Sequence, residues 1–206
     1  GGRVEIVPMF LIKSNVPTLA SVKPYTPLEV LGRDLYIREG CVGCHSQMVR
    51  PFRSETERYG EYSKAGEYVY DHPFLWGSKR TGPDLHRVGG KYPDAWHYNH
   101  MEDPTSTSPG SIMPHYPWLF AKARHRAAQG PHRRAAQSGV PYPPGYEDTA
   151  AAELKTQADQ IVANLKSGMI TTEPDREIIA LIAYLQRLGT DIKTPAATAT
   201  AAPTAE

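Results

Sequence analysis

Long apolar runs are missing from this chain of 206 residues. The longest one within the first 27 residues covers positions 7–12, whereas a helix that spans a bilayer needs about 20 apolar residues. The same region lacks the arginine-flanked apolar core and the small-residue cleavage site of a signal peptide. Stretches that alternate apolar and polar residues are too short to predict a sheet, so we expect an all-α fold.

The chain also has no large excess of positive or negative charge. The 23 basic and 22 acidic residues leave a formal net charge of +1. No basic run is interleaved with aromatic side chains, so nucleic acid is not an expected partner. Nineteen prolines and seventeen glycines predict one core domain with long irregular loops.

Cysteine is scarce, and both cysteines lie in the run Cys41-Val42-Gly43-Cys44-His45. Two thiols spaced by two residues and followed by histidine form the attachment motif of c-type haem, in which the imidazole binds iron. One helical turn places both sulfurs along one edge of a porphyrin. We predict one covalently attached haem c, held by Cys41 and Cys44, with His45 as an axial ligand.

Two other kinds of site contain the same cysteine spacing. A zinc site needs two further ligands at matching spacing, and a second cysteine pair is missing. A thioredoxin-like dithiol usually follows a strand of a βαβ unit, which the residues before Cys41 do not resemble. Both alternatives are less favoured than haem.

The first predicted helix leads directly into the cysteine motif. A capping box at residues 26–29 starts it, and Gly40 ends it. Gly32 and Tyr36 lie one turn apart beside its apolar stripe. A glycine within a helix costs roughly 1 kcal/mol relative to alanine, which favours a close crossing by another helix over a tolerated accident.

Three further helices are indicated by periodicity and end signals. They cover residues 94–101, residues 148–167 and a last segment that opens at residues 172–175 and ends at Gly189. We expect the first and last helices to pack together and form one wall of the haem site.

A second axial ligand is predicted in the loop at residues 111–114, where glycine and proline hold the backbone open. Met113 lies there, 68 residues beyond His45, and thioether ligation would fill the second axial position. Met169 is a possible but weaker candidate for this ligand. The positions of the other three methionines make them unsuitable: Met9, Met48 and Met101. Histidine is the rival ligand type, with four candidates: His72, His97, His100 and His115.

The turn at residues 82–85 also belongs to the predicted site. The Pro83 carbonyl is placed to accept a hydrogen bond from the His45 imidazole, which would fix its tautomer. Leu85 would then pack on the edge of the ring. An ordinary turn without a role in the site is the alternative.

Taken together, these motifs resemble the class I cytochrome c fold. Five runs are more specifically similar to the mono-haem cytochrome c subunit (CcoO/FixO family) of cbb-type cytochrome c oxidases: residues 40–52, 58–63, 72–85, 96–104 and 111–119. The resemblance covers residues 2–119 and about 148–189. Thr105 and His115 depart from the family pattern.

This resemblance implies a function and a set of partners. Cys41 and Cys44 would hold the haem, His45 and Met113 would bind its iron, and Pro83 would support His45. The chain itself would be a non-catalytic subunit of a respiratory, oxygen-reducing and proton-pumping oxidase. Its partners would be the haem–copper subunit, a further cytochrome c subunit and a cytochrome c donor. The expected location is the periplasmic side of the bacterial inner membrane, reached through an N-terminal anchor helix that is absent from this chain.

We divide the chain into three parts. Residues 1–25 are an extended segment, of which positions 4–12 are expected on a partner or a membrane surface, or against the domain itself. Residues 26–190 form the haem domain, with a basic insertion at about 119–146 that contacts lipid or an acidic subunit, or is simply solvated. Residues 191–206 are expected to be a disordered tail.

An iron with both axial positions filled predicts an electron carrier. The alternatives are a free-standing periplasmic or dehydrogenase-linked cytochrome, and a haem-based gas sensor whose sixth ligand is labile.

Overall fold

A computed structural model describes residues 3, 4, 7, 19–71, 73–122, 140 and 142–193 of the chain. In these ranges the protein is helical and has no β-strand, apart from one isolated antiparallel bridge between Lys122 and Arg176. The predicted all-α fold is confirmed. None of the helices in the described ranges combines the length and the apolar character that crossing a bilayer requires.

The described residues between 27 and 187 form six α-helices. Their bounds are Pro27–Arg38 (α1), Arg53–Tyr59 (α2), Asp94–Glu102 (α3), Pro104–Thr107 (α4), Tyr146–Ser167 (α5) and Glu177–Arg187 (α6). Short 3₁₀ turns lie at Cys41–Gly43, Ala65–Tyr68, Pro117–Phe120 and Asp191–Lys193. Most of the other described residues lie in loops and turns.

Helix α1 begins at the predicted capping box. The Thr26 backbone N–H donates to Glu29 Oε2 over 2.8 Å, and the Glu29 N–H donates to Thr26 Oγ1 over 3.4 Å. The helix ends shortly before Gly40, whose φ of +72° reverses the chain. The cysteine motif follows directly.

The close crossing predicted at Gly32 is confirmed, and its partner is α6. A Cβ placed on Gly32 would lie 2.7 Å from the Ala180 carbonyl carbon and 2.7 Å from Tyr184 Cβ. Helix α6 is buried along most of its length because α1, α3 and α5 all pack against it. The rings of Tyr36 and Tyr184 lie 5.6 Å apart beside the crossing.

Helices α3 and α5 also agree with the sequence predictions. Helix α5 begins at Tyr146, two residues before the predicted start, and buries Ala158, Ile161 and Leu165 in the core. Helix α3 begins at Asp94 as predicted and ends one residue later than expected.

The predicted start of the last helix is wrong. Residues 172–175 lie outside α6, which begins at Glu177, and the capping position is held by Arg176 without a side-chain cap. The Asp175 carboxylate contacts the Lys122 ammonium at 3.2 Å instead. Arg176 is extended and forms the isolated bridge with Lys122, so the helix begins only at the next residue.

Several predictions fall outside the described residues. These are the proposed surface contact of most of positions 4–12, nearly all of the basic insertion at residues 123–139, the tail beyond residue 193, and the candidate ligands Met9 and His72.

Replacing Gly32 with alanine should destabilise the protein by about 1–3 kcal/mol, because the added methyl group would overlap the backbone of α6. Urea unfolding of the unchanged protein and of the variant measures the difference. A stabilisation of roughly 1 kcal/mol, as an open helix position would give, would contradict the tight crossing.

Candidate functional site

A cavity of about 580 Å³ lies between the cysteine motif, the turn at residues 81–88, helix α3 and the loop at residues 108–116. Pockets for small organic ligands and cofactors usually measure about 300–1,000 Å³. All six residues that the sequence predicted for the site line this cavity: Cys41, Cys44, His45, Pro83, Leu85 and Met113. The fold therefore brings together residues that are far apart in the chain.

The cysteine motif is positioned by the end of α1. The left-handed Gly40 leads into the 3₁₀ turn Cys41–Gly43, and the His45 N–H donates to the Cys41 carbonyl over 2.9 Å. This bond closes one turn of chain between the first thiol and the imidazole. The two cysteines do not form a disulfide.

The imidazole of His45 is held from one side by the turn at residues 82–85. Its Nδ1 lies 2.8 Å from the Pro83 carbonyl oxygen, which can only accept, so Nδ1 carries the proton and donates. Burial lowers the pKa of His45, although the Pro83 contact acts in the opposite direction. A neutral imidazole with Nδ1 protonated leaves Nε2 available to bind a metal.

Gly82 is required next to this imidazole. A Cβ at position 82 would lie 2.7 Å from both ring nitrogens of His45. The Gly82 N–H also donates to the Cys44 carbonyl over 2.9 Å. The turn and the cysteine motif are thus packed without space for any larger side chain.

Asp84 joins the two segments, and this role was not predicted from the sequence. Its Oδ2 accepts from Ser46 Oγ at 2.6 Å and from the Met48 N–H at 2.8 Å, while Oδ1 accepts from the His86 N–H at 2.9 Å. A parallel backbone bond runs from the Leu85 N–H to the Ser46 carbonyl over 2.8 Å. These bonds hold Pro83 at a constant position relative to His45.

The loop that carries Met113 is anchored to the same part of α1. Trp118 Nε1 donates to Glu39 Oε2 over 2.8 Å, one residue before Gly40. The Tyr116 N–H donates to the Met101 carbonyl over 3.1 Å. Met113 itself is half-buried and lines the cavity.

The other described methionines differ in whether they reach the cavity. Met169 is 94% exposed and Met48 does not line the cavity. Met101 lines it from α3 and is buried. Two methionines, Met113 and Met101, therefore have access to the cavity among the described residues.

Two of the candidate histidines also line the cavity, His97 and His100. Burial lowers the pKa of His97 to about 4, so its imidazole is neutral near pH 7. His100 Nδ1 contacts Thr107 Oγ1 at 2.5 Å. His115 is not among the lining residues and places Nδ1 2.8 Å from the Glu102 carbonyl oxygen.

An aromatic stack forms a further part of the wall, and it was not predicted. The Trp96 ring stacks on Tyr92 at a centroid distance of 4.1 Å and on His100 at 4.5 Å. The three residues follow one another at intervals of four. Trp96 and His100 therefore lie on one face of α3, and Tyr92 stacks from two residues before the helix begins. The spacing of four was the signal available in the sequence.

A buried ion-pair cluster supports the wall at Arg87. Its guanidinium contacts Glu67 Oε2 at 2.6 Å and Oε1 at 2.8 Å, and His86 Nε2 lies 3.0 Å from the same carboxylate. Burial alone would raise the pKa of Glu67, but the hydrogen bonds from His86 and Arg87 outweigh it and hold that pKa at about 2. The carboxylate is therefore ionised at physiological pH.

The two alternatives to haem find no support in the site. Burial raises the pKa of the Cys41 thiol to about 12, whereas a redox-active dithiol needs a lowered pKa. Among the described residues, no group of three or more histidine, cysteine, aspartate or glutamate side chains is arranged to hold a metal ion. A zinc site of the usual type is thus missing from that part of the chain.

The sequence model of the family described as "Cytochrome C oxidase, mono-heme subunit/FixO" matches residues 1–192. No individually curated protein matches the chain.

Replacing Glu67 with glutamine should destabilise the protein at pH 7 by about 2 kcal/mol, because Arg87 would lose its buried counter-charge. The folded-state pKa of about 2 lies below the ordinary value of 4.5. The stabilisation is therefore complete above about pH 4.5 and is lost as the pH falls toward 2. Urea unfolding should show the same difference between the two proteins at pH 7 and pH 5, and a smaller difference at pH 3.

The matched control is Glu57→Gln, because the Glu57 side chain is 63% exposed in its pair with Arg53. It should change stability little at any of these pH values. A Glu67→Gln effect that stays constant with pH would contradict the ionised, buried pair.

Proposed function

The chain belongs to the family of mono-haem subunits of cytochrome c oxidase, and on this basis we propose that it carries single electrons through a covalent haem c toward the oxygen-reducing subunit of a cbb-type oxidase. The observation that carries the proposal is the convergence of both thiols, His45 and Met113 on one cavity. The helical architecture supports a class I cytochrome c fold, which is part of the same proposal.

The residues that line the cavity fit a haem of this type. Cys41 and Cys44 would provide the two thioether bonds, His45 Nε2 and Met113 Sδ the axial ligands, and Leu85 an apolar contact with the ring. The close approach of Gly82 to the imidazole supports this assignment, since it holds the ring of His45 against the Pro83 carbonyl. Apolar lining from Val88 and Leu185 provides the low-polarity surroundings that a porphyrin needs.

When bound, the haem supplies a one-electron exchange between ferrous and ferric iron. The chain's own contribution is to keep two ligands in place during that exchange. The bond from His45 to Pro83 fixes the tautomer and raises the donor strength of the imidazole. A thioether from Met113 favours the ferrous state and raises the potential. With His45 and Met113 both bound to the iron, no position would be left for a substrate, so the chemistry that the haem would supply is electron transfer.

The proposed partners follow from the family. We assign as neighbours the haem–copper subunit, which would accept the electron, and a further cytochrome c subunit. A soluble or membrane-bound cytochrome c would be the donor. The domain would lie on the periplasmic side of a bacterial inner membrane.

Replacing Met113 with alanine should abolish the low-spin ferrous spectrum and lower the midpoint potential, because the sulfur ligand is removed. Visible spectroscopy and a spectroelectrochemical titration of the haem-loaded protein measure both effects. Met101→Leu is the matched control, since it changes the other methionine of the cavity to a side chain of similar volume. It should leave the spectrum unchanged.

Other results would show that Met113 is not the ligand. An unchanged spectrum in Met113→Ala would identify Met101, His97 or His100 as the axial ligand. Rapid binding of carbon monoxide by the unchanged protein would indicate a labile ligand and would favour a gas sensor.

Isolation of the chain from native membranes should yield a complex with the haem–copper subunit. This complex should consume oxygen when a reduced c-type cytochrome is added, and the Met113→Ala complex should lose most of that activity while keeping the haem of its other subunits. A chain that is isolated alone, monodisperse and without detergent would instead support a free-standing carrier.

A further inference from the structure

The loop that carries Met113 is attached to the end of α3. The Tyr116 N–H donates to the Met101 carbonyl over 3.1 Å. The Met113 N–H donates to Ser111 Oγ over 3.2 Å, which is a contact within the loop itself. These bonds fix the loop on its own side of the cavity, and they leave its position relative to His45 to be set by other contacts.

One such contact joins the loop to the opposite side of the cavity, where the thiols lie. Trp118 Nε1 donates to Glu39 Oε2 over 2.8 Å, and Glu39 lies two residues before Cys41. The Trp118 ring also packs edge-on against the ring of Tyr116, at a centroid distance of 5.5 Å. Tyr116 lines the cavity three residues beyond Met113. A short series of contacts therefore connects the cysteine motif to the Met113 loop.

The acceptor of this hydrogen bond is held firmly in place. The Glu39 side chain is only 10% exposed, and its Oε1 lies 2.6 Å from the Arg38 guanidinium. Arg38 Nη1 in turn donates to Glu177 Oε1 over 3.0 Å, at the first residue of α6. The two carboxylate oxygens of Glu39 thus have different partners, Arg38 and Trp118. The carboxylate cannot turn away from Trp118 without disturbing its ion pair with Arg38.

The segment that contains Trp118 has further contacts that do not involve its indole N–H. Leu119 is buried in the core, and Lys122 lies 3.2 Å from the Asp175 carboxylate and forms the isolated bridge with Arg176. These contacts should keep the segment folded when the bond from Trp118 is removed. The effect of that bond on the Met113 loop can therefore be measured separately.

We propose that Glu39 and Trp118 are positioning residues whose hydrogen bond keeps Met113 on the haem iron and thereby excludes dioxygen and other small ligands. The inference rests on the proposed function, because it requires haem in the cavity and Met113 as its ligand. A small ligand can bind only to the fraction of molecules in which Met113 has left the iron. The contacts that are broken when the loop opens determine how large this fraction is.

The experiment measures imidazole binding to the ferric protein and carbon monoxide binding to the ferrous protein by visible spectroscopy. The haem-loaded protein is compared with Trp118→Phe and Glu39→Ala. Each variant should bind imidazole about tenfold more tightly, since a hydrogen bond to a carboxylate contributes about this factor. The double variant should show no further increase, because both changes remove the same bond.

Two other variants serve as controls. Trp76→Phe removes the indole N–H of another partly exposed tryptophan, which stacks on Phe74 at 4.6 Å and does not line the cavity. It should leave both ligand affinities unchanged. Glu39→Gln keeps an oxygen that can accept from Trp118, so its increase should be smaller than that of Glu39→Ala.

Imidazole and carbon monoxide affinities in Trp118→Phe and Glu39→Ala that equal those of Trp76→Phe would overturn the inference. Increases that add up in the double variant would also overturn it, because the two side chains would then act independently. Covalent haem content and circular dichroism establish that each variant has folded, and a merely structural role would lower the urea midpoint without changing ligand binding.

Failure of the proposed function has a different signature. The unchanged protein would then lack covalent haem, or Met113→Ala would leave its spectrum unchanged.

Discussion

The contact between α1 and α6 at Gly32 is the constraint on which the rest of the structure depends. Only a residue without a side chain lets the α1 backbone approach the Ala180 carbonyl so closely. This approach sets the position of the end of α1, where the cysteine motif begins. It also places α6 so that Leu185 reaches the cavity wall. A packing requirement at one glycine thus determines where the thiols and the imidazole lie.

Hydrogen bonds then fix the other walls of the cavity relative to the end of α1. Asp84 ties the Pro83 turn to the residues after His45, and Trp118 ties the Met113 loop to Glu39 at the end of α1. The Pro83 turn and the Met113 loop are therefore both held to the end of α1 or to the residues that follow it. Under the proposed function, this arrangement would keep His45 and Met113 in place in both oxidation states and would keep the reorganisation small.

Features encoded by neighbouring residues were predictable from the sequence, whereas features that depend on distant partners were not. The capping box at Thr26, the crossing glycine and the cysteine motif are local signals with direct physical meanings. The start of α6 was predicted wrongly because Arg176 is extended and bridged to Lys122, more than fifty positions earlier in the chain. The role of Asp84 was not predicted for the same reason, because the contacts of a charged side chain depend on which distant residues lie beside it.

The central claim is that the cavity holds a haem bonded to both cysteines of the motif. Mass spectrometry of the peptide that contains residues 41–45, released from the natively produced protein, tests it most directly. The account predicts that this peptide carries one haem, attached through both Cys41 and Cys44. A peptide with two unmodified thiols, or with a disulfide in their place, would contradict it.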